Sequence, residues 1–184
     1  KTEHMFVSSA EHMLPHLREL SIEKGILMSS GEGNSAVPFG SNDECRQIAE
    51  AFPGIYFWMC NLDDVPENIF ERLETYKNQG AVGIGELMIN RSIDDPMIQE
   101  IFAAAETLSL PVLFHMSPEV GYEYGIVDDA GLPLLEESLK KYPNLKFIGH
   151  SQPFWHEISG DASGDLSSRM EWGKGEVAPG GRLS

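Results

Sequence analysis

Residues 94–118, DDPMIQEIFAAAETLSLPVLFHMSP, decide how the chain is read. Asp94 or Asp95 can cap a helix and Pro96 suits its first turn. Ile98, Ile101, Phe102, Ala105 and Leu108 then recur at helical spacing as one apolar stripe. Directly afterwards PVLFH is short, wholly apolar and stops at His115. A helix feeding a buried strand that ends in a polar side chain is a repeating unit of a parallel sheet.

The same alternation runs outward in both directions. Towards the N-terminus, HMLPHLRELSIEK (12–24) is read as a helix with Leu14, Leu17 and Leu20 at three-residue steps, and GILMSS (25–30) as a strand. SNDECRQIAEAF (41–52) opens on the capping residues Ser41 and Asn42, and GIYFWMCN (54–61) is aromatic and strand-like. PENIFERLETYKNQG (66–80) has Pro66 at a first-turn position and Gly80 as its stop, followed by the strand AVGIGE (81–86). Towards the C-terminus, LPLLEESLKKYP (132–143) is a helix stopped by Pro143, and LKFIGH (145–150) is the last strand. Five strands separated by four helices imply parallel pairing with both faces covered, hence an α/β fold. That leaves an open doubly wound sheet or a (β/α)8 barrel, and a complete barrel takes about 250 residues. From residue 151 onward glycines and serines replace periodicity, and 151–184 is read as one long loop over the site.

The whole chain is treated as one domain, 1–184, with an ordinary globular composition of 41% hydrophobic and 23% charged residues. Acidic residues outnumber basic ones 29 to 13, a net charge of -16 that repels phosphate backbones and argues against nucleic acid as a partner. No apolar run approaches the roughly 20 residues that span a bilayer, and no signal peptide is visible, so no membrane partner is expected. Cys45 and Cys60 do not make a disulfide framework, which fits a reducing compartment and a cytoplasmic location. The chain starts on Lys1 and stops in the glycine-rich GKGEVAPGGRLS, so it is read as part of a longer protein.

Three successive strand runs end in Glu86, His115 and His150, separated by 29 and 35 residues, about one βα unit each. Parallel α/β folds place their active sites at the carboxyl ends of strands, so the three side chains are expected to converge. Carboxylate and imidazole together are ligands for zinc and similar divalent ions. Taken singly, each histidine has a plainer reading as a hydrogen-bonded structural residue, and Glu86 as a helix cap or lysine partner. His4, His12 and His16 lack the HExxH pattern and are read as surface or core residues; His156 is read as structural and Cys60 as core. Neither GEGNSAVPFG nor GKGEVAPGG has phosphate-loop spacing, no GxSxG is present, and Ser117 and Ser151 assemble no acyl-transfer triad.

GAVGIGEL, DDPMIQEIFAAAETLSLPVLFHMS and LEESLKKYPNLKFIGHSQ together resemble the amidohydrolase superfamily, in its amidohydrolase-2 branch of metal-dependent hydrolases and decarboxylases. The resemblance runs from about Gly80 to Gln152. It implies a distorted TIM-barrel-like amidohydrolase fold, incomplete in this chain, whose runs correspond to strands two to six. It makes His115 the fifth-strand metal ligand and His150 the sixth-strand histidine, a ligand or a catalytic contact to substrate. Glu86 falls on the fourth strand, where some members carry a carboxylate or a modified lysine between two metals. The first-strand His-x-His pair and eighth-strand aspartate of the family have no counterpart in this sequence. The implied cofactor is a divalent metal, zinc first, with manganese or iron as alternatives. The implied reaction is cleavage of an amide, ester or lactone in a small carboxylated or cyclic substrate by a metal-activated water. Trp155, Arg169 and Arg182 are candidate substrate-binding residues, joined by Trp172, since arginine matches carboxylate geometry. Rival readings are a metal-dependent decarboxylase of an aromatic acid and a non-catalytic α/β binding protein or degenerate fragment. A further rival is an open-sheet enzyme using His115 and His150 as acid and base without metal. A homo-oligomer is compatible with all of them.

Overall fold

The computed structural model describes residues 8–33 and 39–159. Its strands are β1 (Gly25–Met28), β2 (Tyr56–Met59), β3 (Ile84–Leu87), β4 (Val112–His115) and β5 (Phe147–His150). Its helices are α1 (Ala10–Glu19), α2 (Asn42–Ala51), α3 (Ile69–Asn78), α4 (Pro96–Leu108), α5 (Pro133–Lys141) and α6 (Gln152–Ile158). Side-chain caps explain where several helices start. Ser41 and Glu44 form a reciprocal capping box at α2, and Asp95 accepts from the Met97 N–H at the start of α4 with Pro96 next in line.

All pairings are parallel: β1 with β2, then β3 with β4 and β4 with β5. A bridge between Cys60 and Ile84 joins the two ladders, with Val82 N–H donating to Trp58 O, Cys60 N–H to Gly83 O and Gly85 N–H to Cys60 O. The strands therefore lie in sequential order β1 to β5. A doubly wound sheet reverses its strand order at a switch point, whereas a (β/α)8 barrel never does. Among the described residues there is no reversal and no closure. The structure is an arc of a TIM-barrel-like fold.

One face of the arc is buried beneath the helices. Ile84, Leu87, Val112 and Phe114 are fully buried with Ile98, Ile101 and Phe102 of α4. Phe102 meets Phe147 edge to face at 4.9 Å. Every residue of the expected α4 stripe is buried. On the other face Ile26 and Met28, and Ile148 beside Leu113 in the ladder, remain exposed. No helix among the described residues is long and apolar enough to cross a membrane.

Two boundaries differ from the sequence reading. Helix α3 starts at Ile69 rather than at Pro66, because Asn68 adopts a left-handed conformation and the Arg72 guanidinium binds the Val65 and Glu67 carbonyls. The stretch read as loop from residue 151 opens with α6, whose Pro153 and His156 are buried. Phe154 packs on Phe114 and over Gly149, where a β-carbon would lie 2.4 Å from its ring. Seven residues are too few for periodicity to reveal a helix.

Asn61 ties the strand ends together. Its amide donates to Glu86 O at 2.6 Å and Ser29 O at 3.4 Å, while its own N–H donates to Asn42 Oδ1 and its O accepts from Asn42 Nδ2. Asn61 and Asn42 are both buried. Replacing Asn61 by Leu strands several buried polar groups, and stability in chemical denaturation is expected to fall by about 1–3 kcal/mol.

Candidate metal centre

Strand pairing supplies two of the three site residues directly. His115 and His150 are register partners on adjacent strands, so their side chains leave the same face. Glu86 reaches that face by an irregularity. Ile84 pairs with Val112 but Leu87 pairs with Phe114, so two residues of β3, Gly85 and Glu86, stand against one of β4, Leu113. The extra residue flips the alternation, and Glu86 falls on the side of Leu113 and His115 instead of the buried side. The carbonyls turned out of the ladder are taken up nearby. Gly85 O accepts from the Ser29 N–H at 3.0 Å and Glu86 O from Asn61.

The three side chains meet. Glu86 Oε1 lies 2.7 Å from His115 Nδ1 and 2.7 Å from His150 Nε2, and the two nitrogens are 3.3 Å apart. An ionised carboxylate only accepts, so both imidazoles donate to the one oxygen. Burial resists ionisation of Glu86, but hydrogen bonds from His115 and His150, together with their charge, outweigh it and hold its carboxyl below the ordinary range. Glu86 and His115 side chains are 19% and 20% exposed, against 40% for His150, which makes His150 the most open of the three.

The donor set suits a divalent ion. One carboxylate oxygen and two imidazole nitrogens lie within 4.8 Å of one another. Ligands about 2.0–2.2 Å from zinc sit roughly 3–3.5 Å apart. The histidine pair already has that separation, and the two glutamate contacts need only open by a few tenths of an ångström.

Beside the cluster is a cleft of about 540 Å³ whose lining includes His115, His150, Tyr122, Tyr124, Glu123 and Trp155. The Tyr124 ring lies 4.5 Å from the His115 ring. Trp155 lines this cleft and is 54% exposed. Arg169, Trp172 and Arg182 lie outside the described residues, as does His4. His12 and His16 are on the surface of α1, away from the cleft. Cys60 is wholly buried, and burial pushes its thiol up to about 12, so it belongs to the core rather than the rim. Ser151 Oγ donates to Met116 O and accepts from its N–H, stapling the ends of β4 and β5. Ser117 Oγ is buried with no hydrogen-bond partner among the described residues. Sequence reading missed Tyr122 and Tyr124, although the aromatic GYEYG (121–125) follows a site strand, and it missed Asn61, whose position after YFWMC was the available signal.

The amidohydrolase family model matches residues 34–174. The chain belongs to the amidohydrolase family. That match contains Glu86, His115 and His150, and members of the family generally use divalent metals. A probable 2-pyrone-4,6-dicarboxylic acid hydrolase from Acinetobacter baumannii, solved with citric acid bound, is 15% identical with a TM-score of 0.46, over 81% of this chain and 63% of that one. An uncharacterised TIM-barrel protein from Bordetella bronchiseptica is 15% identical with a TM-score of 0.46, over 89% and 74%. This amidohydrolase chain thus spans less than two thirds of the first of them. No curated protein matches it.

The depressed carboxyl sets an acid dependence. A lowered folded-state pKa contributes stability that is full above the unfolded value of 4.5 and is lost as pH falls through the folded value. In denaturant titrations between about pH 3 and 7, Glu86→Gln is expected to flatten the acid limb of the metal-free protein.

Proposed function

We propose that the full-length protein is a metal-dependent hydrolase that cleaves a C–N or C–O bond in a small cyclic or carboxylated molecule. The convergence of Glu86, His115 and His150 at the carboxyl ends of three neighbouring parallel strands carries this reading. Glu86 Oε1, His115 Nδ1 and His150 Nε2 would hold the ion, zinc first. Bound there, it would supply Lewis acidity and lower the pKa of water from 15.7 towards about 7.

The chain's own groups do the rest. Glu86 keeps the two imidazoles turned towards one point and balances cationic charge in a partly buried site. His150, the most exposed of the three, faces the cleft and is the group that contacts the scissile carbonyl of a bound substrate. The rings of Tyr122, Tyr124 and Trp155 offer flat apolar surface to a cyclic substrate and displace water from it. Arg169 and Arg182 are proposed carboxylate partners, acting by bidentate hydrogen bonding.

Elemental analysis of the full-length protein tests this reading. About one or two zinc-like ions per chain are expected, fewer in His115→Ala, with a rise in melting temperature when the ion is restored. Metal-free protein from a reducing, chelator-free purification would overturn it.

A further inference from the structure

The loop after β4 is held at its return by main-chain bonds of Gly125 and Ile126, and across its exposed part by one side chain that lies outside the cluster. Residues 119–124 are all exposed, so burial does little to fix their path. Ordering such a segment costs about 1–2 kcal/mol of backbone entropy per residue, and something must offset it. Asn90, three residues beyond β3, does so with its whole carboxamide. Its Nδ2 donates to Glu119 O at 3.2 Å and to Gly125 O at 2.9 Å, and its Oδ1 accepts from the Gly121 N–H at 2.6 Å. Both ends of the loop are therefore gripped from one point. Gly125 N–H adds a bond to Met88 O at 2.7 Å.

This grip is transmitted to His115. The returning loop passes so close that a β-carbon on Gly125 would lie 2.9 Å from His115 Cδ2 and 3.1 Å from its carbonyl oxygen. Gly125 also has φ +104, a conformation side chains rarely adopt. The preceding residue, Tyr124, sets its ring 4.5 Å from the imidazole. His115 is thus bounded by Glu86 and His150 at Nδ1, Gly125 at the Cδ2 edge and the Tyr124 ring beside it. Only the last two depend on the loop.

We propose that Asn90 is a positioning residue of this site: it fixes the 118–125 loop and, through Tyr124, the orientation of the His115 imidazole and one wall of the substrate cleft. Its chemical consequence rests on the metallohydrolase reading, whereas its structural content does not. Asn90 touches neither the cluster nor the cleft lining, so its effect has to pass through the loop.

The test uses the full-length protein, metal-free and metal-loaded, with Asn90→Ala, Tyr124→Leu and the double variant. In the metal-free form, histidine-ring NMR signals are assigned from the one missing in His115→Ala. The His115 ring protons are expected to carry a ring-current displacement from Tyr124. Tyr124→Leu removes it, Asn90→Ala removes most of it while cooperative unfolding persists, and the double variant matches Tyr124→Leu. In the metal-loaded form, cobalt(II) binding in Asn90→Ala is expected to weaken about tenfold, as for residues that orient metal ligands, with a shifted visible spectrum. Non-additivity in the double variant is the signature that Asn90 acts through Tyr124. If Asn90→Ala does not fold, Asn90→Asp replaces it, keeping the acceptor for Gly121 N–H and losing both donated bonds.

A His115 signal unmoved in the Asn90 variant, or strictly additive effects, would overturn the proposal. If wild-type protein takes up no cobalt(II), the metallohydrolase reading falls, and the ring-proton signals still decide the role of Asn90.

Discussion

Two residues of β3, Gly85 and Glu86, set against one of β4, Leu113, place a carboxylate beside two imidazoles. Without that extra residue, regular alternation would turn Glu86 towards the helices, into the layer occupied by Ile84, Val112 and Phe114. An ionised side chain there would have no water and no counter-charge, a cost that protein interiors do not accept. With it, Glu86 meets His115 and His150, and the displaced backbone carbonyls find Ser29 and Asn61. The neighbouring strand ends are arranged to receive this one local irregularity. Buried Asn61 takes up the Glu86 carbonyl that the irregularity leaves open, and buried Asn42 pairs with the Asn61 main chain.

Packing on the opposite face makes such a site dependable. The α4 stripe and the aromatic contacts of Phe102 and Phe114 lock the strands against the helix layer. The register between β4 and β5 then fixes His115 opposite His150. Close packing transmits little slack, so distances at the strand ends are inherited from contacts well below them. Residues 119–124, all exposed, have no such core beneath them. Asn90 bonds this segment at Glu119, Gly121 and Gly125.

The chain as a whole carries a net charge of -16. Within the cleft the rings of Tyr122, Tyr124 and Trp155 line the wall beside His115 and His150. The chain belongs to the amidohydrolase family, whose members generally use divalent metals.

Much of this was legible in the order of the residues. Apolar runs ending in Glu86, His115 and His150, separated by a helical stripe such as that of α4, identify parallel strands and the end of the sheet where chemistry belongs. Those signals are local, because the periods of helix and strand are set by backbone geometry and survive in one dimension. The sequence alone left the barrel and the doubly wound sheet open, and sequential strand order decides for the barrel arc. It read a loop where Phe154 folds a short helix over Gly149, since the contact that stabilises α6 lies on another strand. It did not mark Asn61, Asn90 or Tyr124, whose partners stand 25 to 35 residues away or across the site. Which residues can ligate is a matter of side-chain chemistry and was written in the sequence. Which way Glu86 points is a matter of register, and register exists only once two strands have paired.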